Sequence, residues 1–136
     1  MLSPAADTVR LFLHVLAAAV WVGGQFALAG IVPTLRRVAP ESTKAVANAF
    51  ARVAWPAFAV LVLTGIWNIA EVDVTNTDSA YQVTLMIKVT LAILSGVFAA
   101  IHAAGRSKAA MAIGGSLGGL CALGAMFLGI LLTSGT

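Results

Sequence analysis

Charged residues are scarce in this sequence, where Lys, Arg, Asp and Glu make up 10% of the 136 residues. A soluble domain has about 25% charged residues. Hydrophobic residues account for 60% of the chain. This composition predicts an integral membrane protein whose main surroundings are the lipid bilayer.

Cysteine is nearly missing too, which restricts the chemistry of the chain. Cys121 is the single cysteine, so neither an internal disulfide nor a cysteine-rich metal site is possible. The apolar segments contain no pair of carboxylates, and the chain has no phosphate-binding glycine loop and no plausible Ser–His–Asp set. Hydrolytic and phosphoryl-transfer chemistry are therefore not indicated, and a binding protein is favoured over an enzyme. The formal net charge of +3 does not indicate nucleic-acid binding, because in a membrane protein the positions of the charges matter more than their sum.

Long apolar runs, in contrast, occur four times. They predict an all-α bundle of four transmembrane helices in a single domain (1–136), with helices over residues 9–32, 43–70, 82–104 and 109–132. We expect Asp7 or Thr8 to cap the first helix and Pro33 to end it. Pro56 lies inside the second apolar run and is expected to kink that helix.

The loops differ in the sign of their charge. The basic residues flank the first and third loops: Arg36, Arg37, Lys44, Arg52, Arg106 and Lys108. The second loop is acidic, with Glu71, Asp73 and Asp78. Because basic loops stay on the cytoplasmic side, the sequence predicts a multi-pass protein of the plasma (inner) membrane with both termini outside.

His14 is the first candidate for a functional residue. It lies in the apolar run Leu11–Val32 together with Trp21 and Gln25, and on a regular helix the three fall within about 20° of one stripe. A histidine inside a membrane helix is costly unless it faces a partner. His14 therefore predicts a copper or haem ligand, or else a packing histidine bonded to a backbone carbonyl or to Asn68. Trp21 packs either beside a cofactor or against the other helices.

A polar stripe is expected on the third helix, where Lys88, Ser95 and His102 follow one another at intervals of seven. They lie within about 40° of each other and should face the bundle. Lys88 suits an anionic cofactor group, such as a porphyrin propionate, unless its ammonium snorkels to the headgroups. His102 lies about 21 Å deeper, so it cannot share one haem iron with His14. It is either a separate haem ligand or an interfacial residue.

Met126 is the candidate partner of His14 in a copper site. The directions of the helices place Met126 in the same outer layer as His14, and thioethers suit Cu(I). The alternative is that Met126 only fills space between helices.

Four glycines in the last apolar run form two overlapping GxxxG steps: Gly114, Gly115, Gly118 and Gly119. Small residues at this spacing let another helix approach closely. They predict packing within the bundle, a homo-oligomer, or docking into a larger membrane complex as an accessory subunit.

Three segments resemble the CopD-like (copper-resistance D) membrane domain. They are LHVLAAAVWVGG at 13–24, FARVAWPAFAVLVLTGIWN at 50–68 and AYQVTLMIKVTLAILSGVFAAIHAAGR at 80–106. The resemblance implies a four-helix membrane fold and the handling of copper, by binding or by transport.

A more distant resemblance is to the HemJ-like protoporphyrinogen oxidases. These also have a histidine on the first helix and a lysine followed by a late histidine on the third, as His14, Lys88 and His102 do here. This resemblance implies a haem-binding membrane redox protein, with His14, Lys88 and His102 as cofactor-binding residues and Trp21 as a candidate to pack beside the cofactor. Copper handling at His14 and Met126 is the leading interpretation, and haem binding is the alternative.

Overall fold

The computed structural model describes residues 1 and 3–135, and it confirms the predicted all-α class. This part of the chain forms four long helices: α1 (Ala6–Val38), α2 (Thr43–Glu71), α3 (Ser79–Ala104) and α4 (Lys108–Ser134). Each of them is long and apolar enough to cross a membrane. The protein is thus a small four-span integral membrane protein.

The helices belong to two compact units, Met1–Asp73 and Val74–Thr136. In the first unit, a short 3-10 turn at Pro40–Ser42 reverses the chain between α1 and α2. In the second, α3 and α4 are joined by a short turn after Gly105. Each unit is therefore a hairpin of two antiparallel helices.

The expected end of α1 at Pro33 is wrong. Pro33 lies inside the helix, which continues to Val38. One proline removes only one backbone donor, and a membrane helix can accommodate that loss. The helix ends instead before Ala39, whose φ of −151° lies outside the helical region and which precedes Pro40 at the start of the 3-10 turn.

The start of α1 also differs from expectation. The helix begins at Ala6, so Asp7 and Thr8 lie in its first turn and neither is its N-cap. Thr8 instead accepts a hydrogen bond from the backbone N–H of Ala5, at 3.3 Å. The other helix starts follow standard capping: Asp78 accepts from the N–H of Tyr81 at 2.7 Å, and Ser107 accepts from the N–H of Ala110 at 3.1 Å.

A π-helical turn at Ala19–Gly23 interrupts α1. It lies beside an aromatic cluster in which Trp21 is 2% exposed and packs against Trp55 and Phe58, with ring centroids 5.3 and 4.5 Å away. The side-chain amide of Gln25 donates to the carbonyl of Trp21 at 2.9 Å. The turn adds one residue to the helix, so the uniform spacing assumed for His14, Trp21 and Gln25 does not hold across it.

Gly24 allows α1 to pack closely on α2, and its substitution is a direct test of that contact. A Cβ at Gly24 would lie 2.5 Å from Cε2 of the Phe50 ring, whereas at Gly30 it would meet no described atom within 4 Å. We expect Gly24→Ala to cost about 1 kcal/mol, because the Phe50 ring must move aside. Gly30→Ala is the matched control. Thermal unfolding in detergent, followed by circular dichroism, measures both, and equal melting temperatures would contradict the close contact.

Candidate functional site

His14 is held by a hydrogen bond from α1 to α2. Its Nδ1 lies 2.9 Å from Oγ1 of Thr64, a threonine that is only 5% exposed. The Thr64 hydroxyl in turn donates to the carbonyl of Val60, 2.7 Å away on the same helix. Threonine hydroxyls inside helices commonly donate to a carbonyl of the preceding turn in this way.

The Thr64 hydroxyl determines which role Nδ1 of His14 has in this hydrogen bond. A hydroxyl has one hydrogen, and the Val60 carbonyl can only accept it. Thr64 therefore accepts from His14, so Nδ1 carries a proton, and in the neutral form of the imidazole the lone pair is on Nε2. This is the arrangement in which a histidine binds a metal through Nε2 while its other ring nitrogen donates to an oxygen.

Gly65 makes room for the ring. A Cβ at this position would lie 3.6 Å from Cε1 of His14, which is ordinary contact distance. A longer side chain at position 65 would compete with the imidazole for this space. The consecutive residues Thr64 and Gly65 therefore orient the ring and accommodate it.

Arg10 lies one helical turn before His14 and on the same face of α1. Its side chain is only 12% exposed, and Nη2 pairs with Asp7 at 3.2 Å. Nη1 lies 3.9 Å from a carboxylate oxygen of Glu71, at the end of α2. Trp67 donates to the other oxygen of Glu71 at 3.4 Å. The two exposed carboxylates thus hold the guanidinium against the hairpin.

Three polar atoms at this ion pair are buried and lack a hydrogen-bond partner among the described residues; the 3.9 Å contact between Arg10 Nη1 and Glu71 is too long for a hydrogen bond. They are Nε and Nη1 of Arg10 and Oδ1 of Asn68. The contact between His14 and Thr64 sets the register of the two helices, and one turn further along each helix are Arg10 and Asn68. The unpaired donors and the unpaired acceptor therefore lie at the same level of the hairpin.

Lys88 packs over a glycine in the second unit. Its Nζ would lie 3.0 Å from a Cβ at Gly129. The end of the Lys88 side chain therefore packs on α4. Snorkelling of Lys88 and its role in cofactor binding both stay predictions.

His102 bridges the two helices of the second unit. Its Nδ1 donates to the carbonyl of Met111 at 2.5 Å, and its ring packs against Gly115, where a Cβ would lie 3.0 Å from Nδ1. Ser95 is 1% exposed, and the stripe of Lys88, Ser95 and His102 packs on α4.

The remaining predicted residues lie on α4. Met126 is 43% exposed, and its role as a copper ligand stays a prediction. Gly114 and Gly118 are buried against α3, so one GxxxG step serves the hairpin itself. A Cβ at Gly119 would meet no described atom within 4 Å. Association with another chain through Gly119 stays a prediction.

Within residues 1 and 3–135, no three His, Cys, Asp or Glu side chains are grouped as a metal site. Comparison with protein-family models, with curated proteins and with solved structures gives no match to this chain. The geometry around His14 is therefore the main basis for a functional proposal.

Sequence reasoning singled out His14 but missed its surroundings. The sequence did not indicate Thr64 as the partner of His14, because a threonine that hydrogen-bonds within its own helix is ordinary in an apolar segment. Arg10 was not singled out from the sequence either, because a basic residue near the start of a membrane helix is ordinary. Its spacing of four residues from His14 is the pattern that could have indicated a shared site.

Proposed function

We propose that this membrane protein binds haem, and that Nε2 of His14 would hold the iron. The observation that supports the proposal is the hydrogen bond from His14 Nδ1 to Thr64, at 2.9 Å. It leaves the lone pair on Nε2 and orients the ring, as outer-shell partners do for metal-binding histidines.

Haem is favoured over copper because of the number of ligands that each requires. The first unit contains one histidine, His14, no cysteine, and Met1 as its only methionine. Cu(I) is selected by several soft thiolate or thioether ligands. Haem already has four ring nitrogens on the iron, so a single histidine is enough to hold it.

The residues around His14 have separate roles in this proposal. Thr64 fixes the tautomer and the orientation of the ring, and Gly65 provides the space for it. Bound haem would supply one-electron redox chemistry, with an axial histidine and the surrounding dielectric as determinants of its potential. The resemblance to HemJ-like proteins, which includes His14, Lys88 and His102, also supports haem.

The proposal includes an orientation in the plasma membrane. The loop charges favour both termini outside, because the basic residues lie on the loop between α1 and α2 and on the loop between α3 and α4. His14 is in the N-terminal half of α1, so its site lies towards the outer surface. A haem there is within reach of an electron donor or acceptor outside the cell.

Copper is the second candidate, since the same Nε2 lone pair suits Cu(I) and Met126 offers a thioether. The absorption spectrum of the purified protein, before and after dithionite, separates the two. We expect a Soret band that shifts and sharpens on reduction. A featureless spectrum for protein from haem-sufficient cells, which also stays featureless when hemin is added, would exclude haem. Titration with Cu(I) would then test the copper site.

A further inference from the structure

The unpaired polar atoms next to His14 have a defined hydrogen-bonding demand. Arg10 Nε and Nη1 are donors, and Asn68 Oδ1 is an acceptor; all three are buried without a hydrogen-bond partner in the described part of the chain. Buried polar groups in proteins are almost always satisfied by protein, water or a ligand. A group that fits here must therefore accept from arginine and donate to an amide oxygen.

The unpaired atoms belong to residues that lie one helical turn from the contact between His14 and Thr64. Arg10 precedes His14 by one turn of α1, and Asn68 follows Thr64 by one turn of α2. The Arg10–Glu71 contact of 3.9 Å continues the same register to the end of the hairpin. Arg10 and Asn68 therefore lie between the imidazole and the membrane surface at that end.

The charges around Arg10 further restrict which chemical groups can bind beside it. Asp7 and Glu71 already flank the guanidinium, so the three side chains carry a formal charge of −1. An anionic ligand is disfavoured there because it would add to this net negative charge. A metal cation is disfavoured because the guanidinium would repel it. A carboxylic acid meets both demands, because its carbonyl oxygen accepts from Arg10 and its hydroxyl donates to Asn68.

We propose that Arg10 and Asn68 form a subsite for one carboxyl group of the bound tetrapyrrole, taken up in its protonated form. This inference rests on the proposed binding of haem at His14, and it adds a second point of attachment. Because Arg10 and Asn68 lie on the membrane-surface side of His14, they would hold the carboxyl group on that side.

The test compares haem with its dimethyl ester, in which neither carboxyl group can donate a hydrogen bond. Absorbance titration of the apoprotein in detergent measures both affinities. We expect the wild-type protein to bind haem about tenfold more tightly than the ester, the size of one good hydrogen bond to a buried polar group. Asn68→Leu should lower the affinity for haem about tenfold and change the affinity for the ester much less, because the ester has no hydroxyl for Asn68 to accept from. Arg10→Gln should lower the affinity for both ligands, because the ester keeps the carbonyl oxygen that accepts from Arg10.

Two exposed residues of the same unit provide matched controls. Arg37→Gln and Asn48→Leu make the same chemical changes at exposed positions, and both should bind haem and ester like the wild type. The wild-type comparison requires no substitution, so it tests the subsite even if Arg10→Gln does not fold. Equal wild-type affinities for haem and ester would overturn the subsite and assign the unpaired atoms to bound water.

The His14→Ala variant distinguishes failure of the subsite from failure of the haem site. Loss of both ligands in His14→Ala, together with unchanged binding in Arg10→Gln and Asn68→Leu, would overturn only the carboxyl subsite. If neither ligand binds the wild-type protein, both proposals are overturned.

Discussion

The His14→Ala variant is expected to purify without a Soret band under conditions in which the wild-type protein retains one. Alanine removes the Nε2 ligand, and His14 is the only histidine of the first unit. The measurement is the ratio of Soret to protein absorbance after purification from haem-sufficient cells. His102→Ala is the control and should retain the band, because His102 lies on α3. The opposite pattern would identify His102 as the ligand.

Substitution of Thr64 separates the role of the hydroxyl from that of the imidazole. Thr64→Val keeps the shape of the side chain but leaves His14 Nδ1 without its acceptor, which is 2.9 Å away in the wild type. Loss of an outer-shell partner lowers the affinity of metal ligands by about 10- to 100-fold. Thr64→Ser restores the hydroxyl and should recover most of the affinity. Equal hemin titrations for Thr64→Val and Thr64→Ser would contradict this role.

The Gly114→Ala variant is expected to lose a large part of the stability of the α3–α4 hairpin. Its Cβ would lie 2.8 Å from the backbone nitrogen of His102 and 2.9 Å from the carbonyl oxygen of Phe98. Backbone atoms cannot rotate away, so the two helices must separate. Overpacking of this kind costs about 1–3 kcal/mol.

Gly119→Ala is the matched control on the same helix, because its Cβ would meet no described atom within 4 Å. Cys121, the single cysteine, is half-buried and lies on α4. The rate at which a thiol-reactive dye labels Cys121 during heating therefore reports the opening of this hairpin. Similar labelling curves for the two variants would contradict the close approach at Gly114.

The positions of the four helices were predictable because apolar length alone defines a membrane span. Their ends were less predictable. Pro33 and Pro40 look alike in the sequence, but α1 passes through the first and ends before the second. A proline disfavours the helical conformation of the residue before it but does not forbid it, so the surrounding chain decides whether the helix continues.

The candidate site was predictable in part. His14 was found because an ionisable residue in an apolar run is conspicuous. The tautomer of its ring was not, because it depends on Thr64, which is 50 residues away in the sequence. The two GxxxG steps are equivalent in the sequence as well, and only the packing of α4 on α3 distinguishes Gly114 and Gly118 from Gly119.

The π-helical turn at Ala19–Gly23 divides α1 into two halves with different rotational phase. One extra residue rotates everything after it by about 100° relative to an uninterrupted helix. The half with Arg10 and His14 and the half with Gly24 therefore each present a contact face of their own to α2. A stripe of side chains along one face of the first half therefore does not continue along the same face of the second. Substitutions around His14 can consequently be made without changing the contact face that includes Gly24.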